Sequence, residues 1–210
     1  PAVFIPIAEA SGEIIRLGEF VLHSVLQDLK EGGLPSHIRI GVNLSPVQFT
    51  QKNLVGRLLS IIQESGISPH RLEFEITEST IFHDVDFVDR MLRQLGEQGI
   101  DFAIDDFGTG YSSLSILKAL PVQRLKIDAS FIADMDRSFQ DRSIVEMIIY
   151  LAHTMRLQVV AEGVETESQK RILTELGCDQ IQGFLLGRPM PFSELLQFVS
   201  PDGQSGQNTA

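Results

Sequence analysis

The sequence predicts an α/β protein whose parallel strands curve toward a closed barrel, and two observations carry that reading. Strand-like segments at 38–44, 72–78, 101–108, 124–128, 158–165 and 180–184 alternate with helix-like segments. Near the C-terminal end of each strand-like segment stands a polar side chain suited to metal or proton chemistry: Asn43, Glu75, Asp105, Lys126, Glu162 and Gln182. Alternating strands and helices imply parallel strands joined by right-handed crossovers. An open doubly wound sheet places its ligand at one switch point. A barrel instead gathers side chains from every strand at its C-terminal face. With every strand end contributing, the barrel is favoured. A TIM-type barrel needs eight strands, so two are expected to lie before Pro1.

The strands are justified by parity. Side chains alternate faces along a strand, and Ile40, Val42, Phe74, Ile76, Phe102, Ile104, Leu125, Ile127, Val159, Ala161 and Ile181 all take the parity opposite to the polar set. The apolar set is expected to pack against one layer while the polar set converges on the other. For the helices, 12–30 carries Ile14, Ile15, Leu17, Phe20, Val21, Val25 and Leu29, the stripe of an amphipathic helix. Segments 53–64, 84–97, 112–120, 142–155 and 167–176 read the same way. Gly66, Gly99 and Gly177 follow three of them as stops. A short last helix is expected over 193–199, with Ser193 as its N-cap. Residues 200–210 are rich in Gly, Ser, Gln and Asn and are expected to form a flexible tail beyond a domain of 1–199.

Composition excludes several classes. A formal charge of −11 argues against DNA or another nucleic acid as partner, which would need a basic face. No apolar run reaches the length of a membrane span, so no membrane contact is expected from this segment. The single Cys178 rules out an internal disulfide and favours a reducing, cytoplasmic setting. The five histidines are scattered without zinc spacing. Any metal must therefore be held by oxygen, which points to Mg²⁺, Mn²⁺ or Ca²⁺.

The sharpest motif is Asp105-Asp106-Phe107-Gly108-Thr109-Gly110. Adjacent carboxylates directed at one site repel unless a cation lies between them, so they suit one bridged or two close metal ions. The bland alternative makes Asp106 a turn-forming cap. Its Asp-Phe-Gly is not a kinase signature, because no kinase catalytic loop or lysine strand accompanies it. In Glu73-Phe74-Glu75-Ile76-Thr77-Glu78, the inward Glu75 asks for a cation, which Lys126 or a metal can supply. Glu78 is read either as a site residue or as the anchor of a neighbouring loop. Asn43 fits a neutral oxygen ligand as well as a backbone-bonding strand end. Lys126 suits charge stabilisation at a phosphate or a salt bridge to Asp128 or Glu75. Glu162 suits a general base or a ligand, Glu165 reaches a loop, and Gln182 can bridge to a water.

Together these motifs resemble the EAL family of cyclic-di-GMP phosphodiesterases. The matching stretches are Phe4-Ile5-Pro6-Ile7-Ala8-Glu9, Val42-Asn43-Leu44-Ser45, Glu75-Ile76-Thr77-Glu78, Asp105-Asp106-Phe107-Gly108-Thr109-Gly110, Leu125-Lys126-Ile127-Asp128, Ala161-Glu162-Gly163-Val164-Glu165 and Gln182-Gly183-Phe184. The resemblance implies a (β/α)8 barrel that hydrolyses cyclic-di-GMP to linear pGpG with Mg²⁺ or Mn²⁺ at a two-metal site. It implies that Asn43, Glu75 and Asp105 ligate the first metal, with Asp105 shared and Asp106 serving the second. Lys126 and Glu162 would line the water and the scissile phosphate, Gln182 would support the water, and Glu78 would hold the 106–113 loop. A homodimer and an upstream sensor or GGDEF-type domain are further implications. The Glu-Ala-Leu signature is absent and is expected upstream of Pro1, so this piece alone is expected to be impaired. Three rivals stand beside this reading: a receptor that binds the nucleotide without catalysis, another metal-dependent barrel enzyme, and an interaction domain that dimerises through the 112–120 helix.

Overall fold

The structure, a computed structural model, describes residues 1–110 and 114–199. Its sheet contains β1 (Ile40–Leu44), β2 (Leu72–Thr77), β3 (Asp101–Phe107), β4 (Arg124–Ile127), β5 (Gln158–Ala161) and β6 (Gln180–Ile181). The strands are parallel and neighbour one another in sequence order. That order is consistent with a TIM-type (β/α)8 barrel short of two strands. β1 and β6 are the sheet edges among the described residues.

The parity of each strand decides what it buries. Val42, Phe74, Ile76, Phe102, Ile104, Leu125, Ile127, Val159 and Ala161 are buried. They join one apolar cluster with the inner stripes of the flanking helices. Those helices are α1 (Phe4–Ser11), α2 (Ile14–Glu31), α3 (Leu54–Ser65), α4 (Glu78–His83), α5 (Val85–Gly96), α6 (Leu114–Ala119), α7 (Ala129–Ala133), α8 (Phe139–Thr154), α9 (Glu167–Glu175) and α10 (Phe192–Val199). From them Leu22, Leu26, Leu58, Ile62, Met91, Leu92, Leu95, Val145 and Leu173 enter the core. Phe74 and Phe102, on neighbouring strands, meet with ring centroids 6.2 Å apart, a favourable tilted aromatic contact. No helix among the described residues is long and apolar enough to cross a membrane.

Local chemistry sets the helix limits. α3 ends on Gly66 in the left-handed conformation, which glycine adopts without a Cβ clash. The side chain of Asp84 accepts from Phe87 N at the start of α5, and Ser138 caps α8 in the same way through Asp141 N. α8 therefore starts at Phe139 rather than at 142. Thr166 and Gln169 form a reciprocal capping box at the start of α9.

Several expectations are corrected. The helix expected from 12 begins at Ile14, because Gly12 at φ 77° ends the separate helix α1. α10 starts at Phe192, which places Ser193 inside its first turn rather than at the N-cap. Glu78 opens α4 instead of closing β2. β5 stops at Ala161 and β6 at Ile181, leaving Glu162 and Gln182 on the loops just beyond. Of the 112–120 helix, 114–119 is helical, and residues 111–113 lie outside the described residues. So does the 200–210 tail.

Register carries the site. Asn43 pairs with Glu75, and Thr77 with Asp105. Between β3 and β4 the register shifts, because three steps from Ile104 to Phe107 face only two from Leu125 to Ile127. A bulge thus falls at Asp105–Asp106, with Asp106 at φ 54°. Asp tolerates that left-handed region better than most residues. In a regular strand two consecutive side chains would face opposite ways; the bulge re-aims one of them.

Candidate active site

Lys126 stands among three carboxylates. Its Nζ donates to Glu75 Oε2 at 2.6 Å and lies 3.0 Å from Asp105 Oδ1 and 2.7 Å from Glu162 Oε1. The side chains come from β2, β3, β4 and the loop after β5, so adjacent strands bring them to one end of the sheet. Lys126 is 5% exposed and Asp105 9%. Burial opposes the ammonium charge, but Glu75 and Asp105, with hydrogen bonds to Glu162 and Glu75, outweigh it and raise the Lys126 pKa. Lys126 is thus a fixed cation. The alternative salt bridge to Asp128 is not made: Asp128 instead caps α7, accepting from Ser130 N at 3.0 Å.

The acids are not fully neutralised by that one cation. Burial pushes the Glu162 carboxyl above the usual carboxylate range, with Lys126 opposing and Asp105 and Glu75 adding to the rise. Burial likewise raises Asp106, assisted by the charges of Asp105 and Asp128. Carboxylate oxygens of Asp105, Asp106 and Glu162 lie within 4.8 Å of one another. Four acids, Glu75, Asp105, Asp106 and Glu162, therefore share one ammonium. That excess of negative charge and oxygen donors fits a hard divalent cation.

Asn43 lies beside Glu75 in register but is exposed, on the edge strand β1. Glu78 is 5% exposed and turned toward the Gly-rich loop. Gly108 N donates to its Oε2 at 3.4 Å, and a Cβ on Gly110 would lie 3.1 Å from the same carboxyl. Gln182 and Glu165 are both exposed. Gln182 is held by its backbone, which donates to Ala161 O at 2.8 Å and accepts from Val164 N at 3.0 Å. The Glu165 amide donates to Gln169 Oε1 at 2.8 Å.

Two contributors were not singled out from the sequence. Asp128 has the same strand parity as Lys126 and adds negative charge next to Asp106; that parity was the available signal. Glu9 accepts from Ser45 Oγ at 2.7 Å, tying α1 to the turn after Asn43. No periodicity linked residues so far apart. At the other end of the strands, Glu73 pairs with Arg124 and Asp101 with Arg39. Glu73, an acid on the inward parity, belongs to that structural pairing rather than to the Lys126 cluster.

With this geometry in hand, comparison with known proteins gives a consistent answer. The family model described as EAL domain matches residues 1–189. The chain belongs to the EAL domain family. It is 44% identical over 203 residues to the bifunctional diguanylate cyclase/cyclic di-GMP phosphodiesterase MucR of Pseudomonas aeruginosa, covering 95% of this chain and 30% of MucR. It is 39% identical to the cyclic di-GMP phosphodiesterase NbdA of the same organism, covering 95% of this chain and 26% of NbdA. The chain thus spans about a third or less of these relatives. A solved structure of the MucR phosphodiesterase in complex with c-di-GMP superposes with a TM-score of 0.89 at 44% identity, covering 93% of this chain and 80% of that one.

Proposed function

We propose that this domain hydrolyses one phosphodiester of cyclic-di-GMP to give linear pGpG, ending a second-messenger signal. The observation that carries the reading is Lys126 held by Glu75, Asp105 and Glu162, with Asp106 beside them. A buried cation surrounded by surplus carboxylates suits a reaction in which a phosphate gains negative charge while water loses a proton.

Each residue then has a task. Lys126 donates to the phosphoryl oxygens as charge builds there, and it holds the arms of three acids in place. Glu162 takes the proton from the attacking water; its raised pKa makes it a stronger base than an exposed glutamate. Water oxygen bonds to phosphorus, the bond from phosphorus to the ribose 3′ oxygen breaks, and that oxygen leaves with a proton. Gln182, at the rim, orients the water. Mg²⁺ or Mn²⁺ bound by Asn43, Glu75, Asp105 and, for a second ion, Asp106 would supply Lewis acidity at the phosphate. Glu78 fixes the loop that follows Asp106, and Glu165 supports the loop after Glu162. Residues 1–199 supply this domain's share of the catalytic unit, which works as a homodimer in the cytoplasm. A GGDEF-type or sensor domain upstream agrees with the bifunctional description of MucR.

The test is conversion of cyclic-di-GMP followed by chromatography, with Mn²⁺ and with EDTA. Conversion that needs Mn²⁺ and disappears in Glu162→Gln supports the reading. Nucleotide binding without any conversion, both in this chain and in a version extended upstream, would replace it with a receptor.

A further inference from the structure

The stretch Phe4-Ile5-Pro6-Ile7-Ala8-Glu9 has no task in the chemistry above, and the helix it opens is anchored by little apolar contact. α1 has no buried side chain, and none of its residues joins the apolar cluster. Gly12 at φ 77° separates it from α2. Its Glu9 nevertheless reaches the end of the sheet, where Oε1 accepts from Ser45 Oγ at 2.7 Å.

Ser45 is the pivot of the turn that follows β1. A hydroxyl carries one proton, and that of Ser45 goes to Glu9, while its oxygen accepts from Val47 N at 3.2 Å. The Ser45 amide donates to Gln48 Oε1 at 2.9 Å. Gln48 is 4% exposed and lies against Gly18 of α2, where a Cβ would fall 2.3 Å from its Nε2. Asn43, two residues before this pivot, has less to fix it. β1 is an edge strand among the described residues, so Asn43 has a ladder neighbour on one side, Glu75. Among the described residues its side chain makes no hydrogen bond. Its direction therefore follows from its backbone, which the Ser45 turn holds on the C-terminal side.

Resting on the reading of Asn43 as a metal ligand, we infer that Glu9 is a positioning residue of the metal site: through the Ser45 hydroxyl it sets the strand end that presents Asn43 to the cation. Partners behind a metal ligand fix its orientation, and losing one typically costs about 10–100-fold in metal affinity or activity. A helix outside the apolar core thereby takes part in holding the metal. Glu9 acts through Ser45, not on the phosphate, so its contribution falls on metal affinity rather than on the chemical step.

The test compares the full chain with Glu9→Ala, Glu9→Gln, Ser45→Ala and the double variant of Glu9→Ala with Ser45→Ala. Mn²⁺ affinity is read from the electron paramagnetic resonance signal of the free ion, and cyclic-di-GMP turnover is followed across Mn²⁺ concentrations. Because α1 supplies nothing to the core, Glu9→Ala is expected to fold. It is expected to weaken Mn²⁺ binding about tenfold, with turnover restored at saturating Mn²⁺. Glu9→Gln keeps an acceptor for the Ser45 hydroxyl without the charge and is expected to retain the affinity. The double variant is expected to lose no more than Ser45→Ala alone, as for two residues acting through one bond. Wild-type affinity in Glu9→Ala, or a loss in Glu9→Gln equal to that in Glu9→Ala, overturns the inference and leaves the metal reading intact. A wild-type chain that binds no Mn²⁺, both alone and extended upstream, overturns the metal reading and the inference with it.

Discussion

Lys126 Nζ lies 2.7 Å from Glu162 Oε1, and that contact joins strand β4 to the loop after β5. Burial alone would drive the lysine toward neutrality and the glutamate toward protonation. The lysine keeps its charge because Glu75 and Asp105 stand on its other sides. Glu162 has fewer compensating partners, and its pKa rises.

Replacing Lys126 with Met leaves one buried and two half-buried carboxylates facing one another. Breaking a buried ion pair costs about 3–5 kcal/mol, lowered here as the acids take up protons. The metal-free variant should melt roughly 10 °C lower, and Mn²⁺ should recover part of that difference. Phosphodiesterase turnover should fall by about 100-fold or more. Thermal denaturation with and without Mn²⁺, beside turnover, reads both effects; an unchanged melting point would contradict the assigned pairing.

Glu78→Ala removes the acceptor facing Gly108 N. The loss to stability is expected to be about 1 kcal/mol, the net worth of one hydrogen bond to an amide that water can reach. Hydrogen exchange at the Gly108 amide should accelerate more than exchange in β2 or β4, and turnover should drop with it. Uniform acceleration across the sheet would mean that Glu78 supports the whole core rather than the loop.

Gly183→Ala and Gly66→Ala separate two reasons for glycine. At Gly183 the new Cβ meets the Val164 backbone at 2.1 and 2.3 Å, so the two loops must part and overpacking of about 1–3 kcal/mol or more follows. At Gly66 there is open space, and only the left-handed conformation costs, about 1–2 kcal/mol. Gly66→Ala should lower the melting point without altering turnover. Gly183→Ala should lower both.

Asp179 gives a pH signature. Its carboxylate accepts from Val159 N and contacts His153 Nε2, both at 2.8 Å. Burial raises its pKa, but the His153 and Val159 bonds outweigh that and hold it below the usual carboxylate range. A depressed carboxyl contributes stability that is present above its unfolded pKa of about 3.9 and is lost as pH falls through the folded value. Asp179→Ala should therefore destabilise by about 1 kcal/mol at pH 7, with the gap closing as the pH drops below 4. A gap that widens on acidification would contradict this sign.

How much of this was legible in the sequence depended on periodicity. Phe74, Ile76, Phe102 and Ile104 alternate with Glu75 and Asp105 at period two, so strand identity, parallel order and the facing acids could be read directly. The convergence of Lys126 with Glu75 was likewise anticipated, because opposite charges on one parity seek each other. The start of α4 at Glu78 escaped, since a carboxylate after a strand looks the same whether the chain continues extended or turns helical. The bulge at Asp105–Asp106 left no signal beyond two adjacent acids, because it arises from register against β4. The Glu9 to Ser45 link depends on tertiary approach, which no repeating pattern announces.

The most direct measurement of the central claim is a turnover of cyclic-di-GMP with Mn²⁺ in water enriched in oxygen-18. Attack by water on phosphorus predicts linear pGpG carrying one heavy oxygen in its terminal phosphate, formed by the wild-type chain and not by Glu162→Gln. Product without the heavy oxygen in that phosphate, or equal product from Glu162→Gln, would contradict the assignment of the Lys126–Glu162 cluster as the hydrolytic centre.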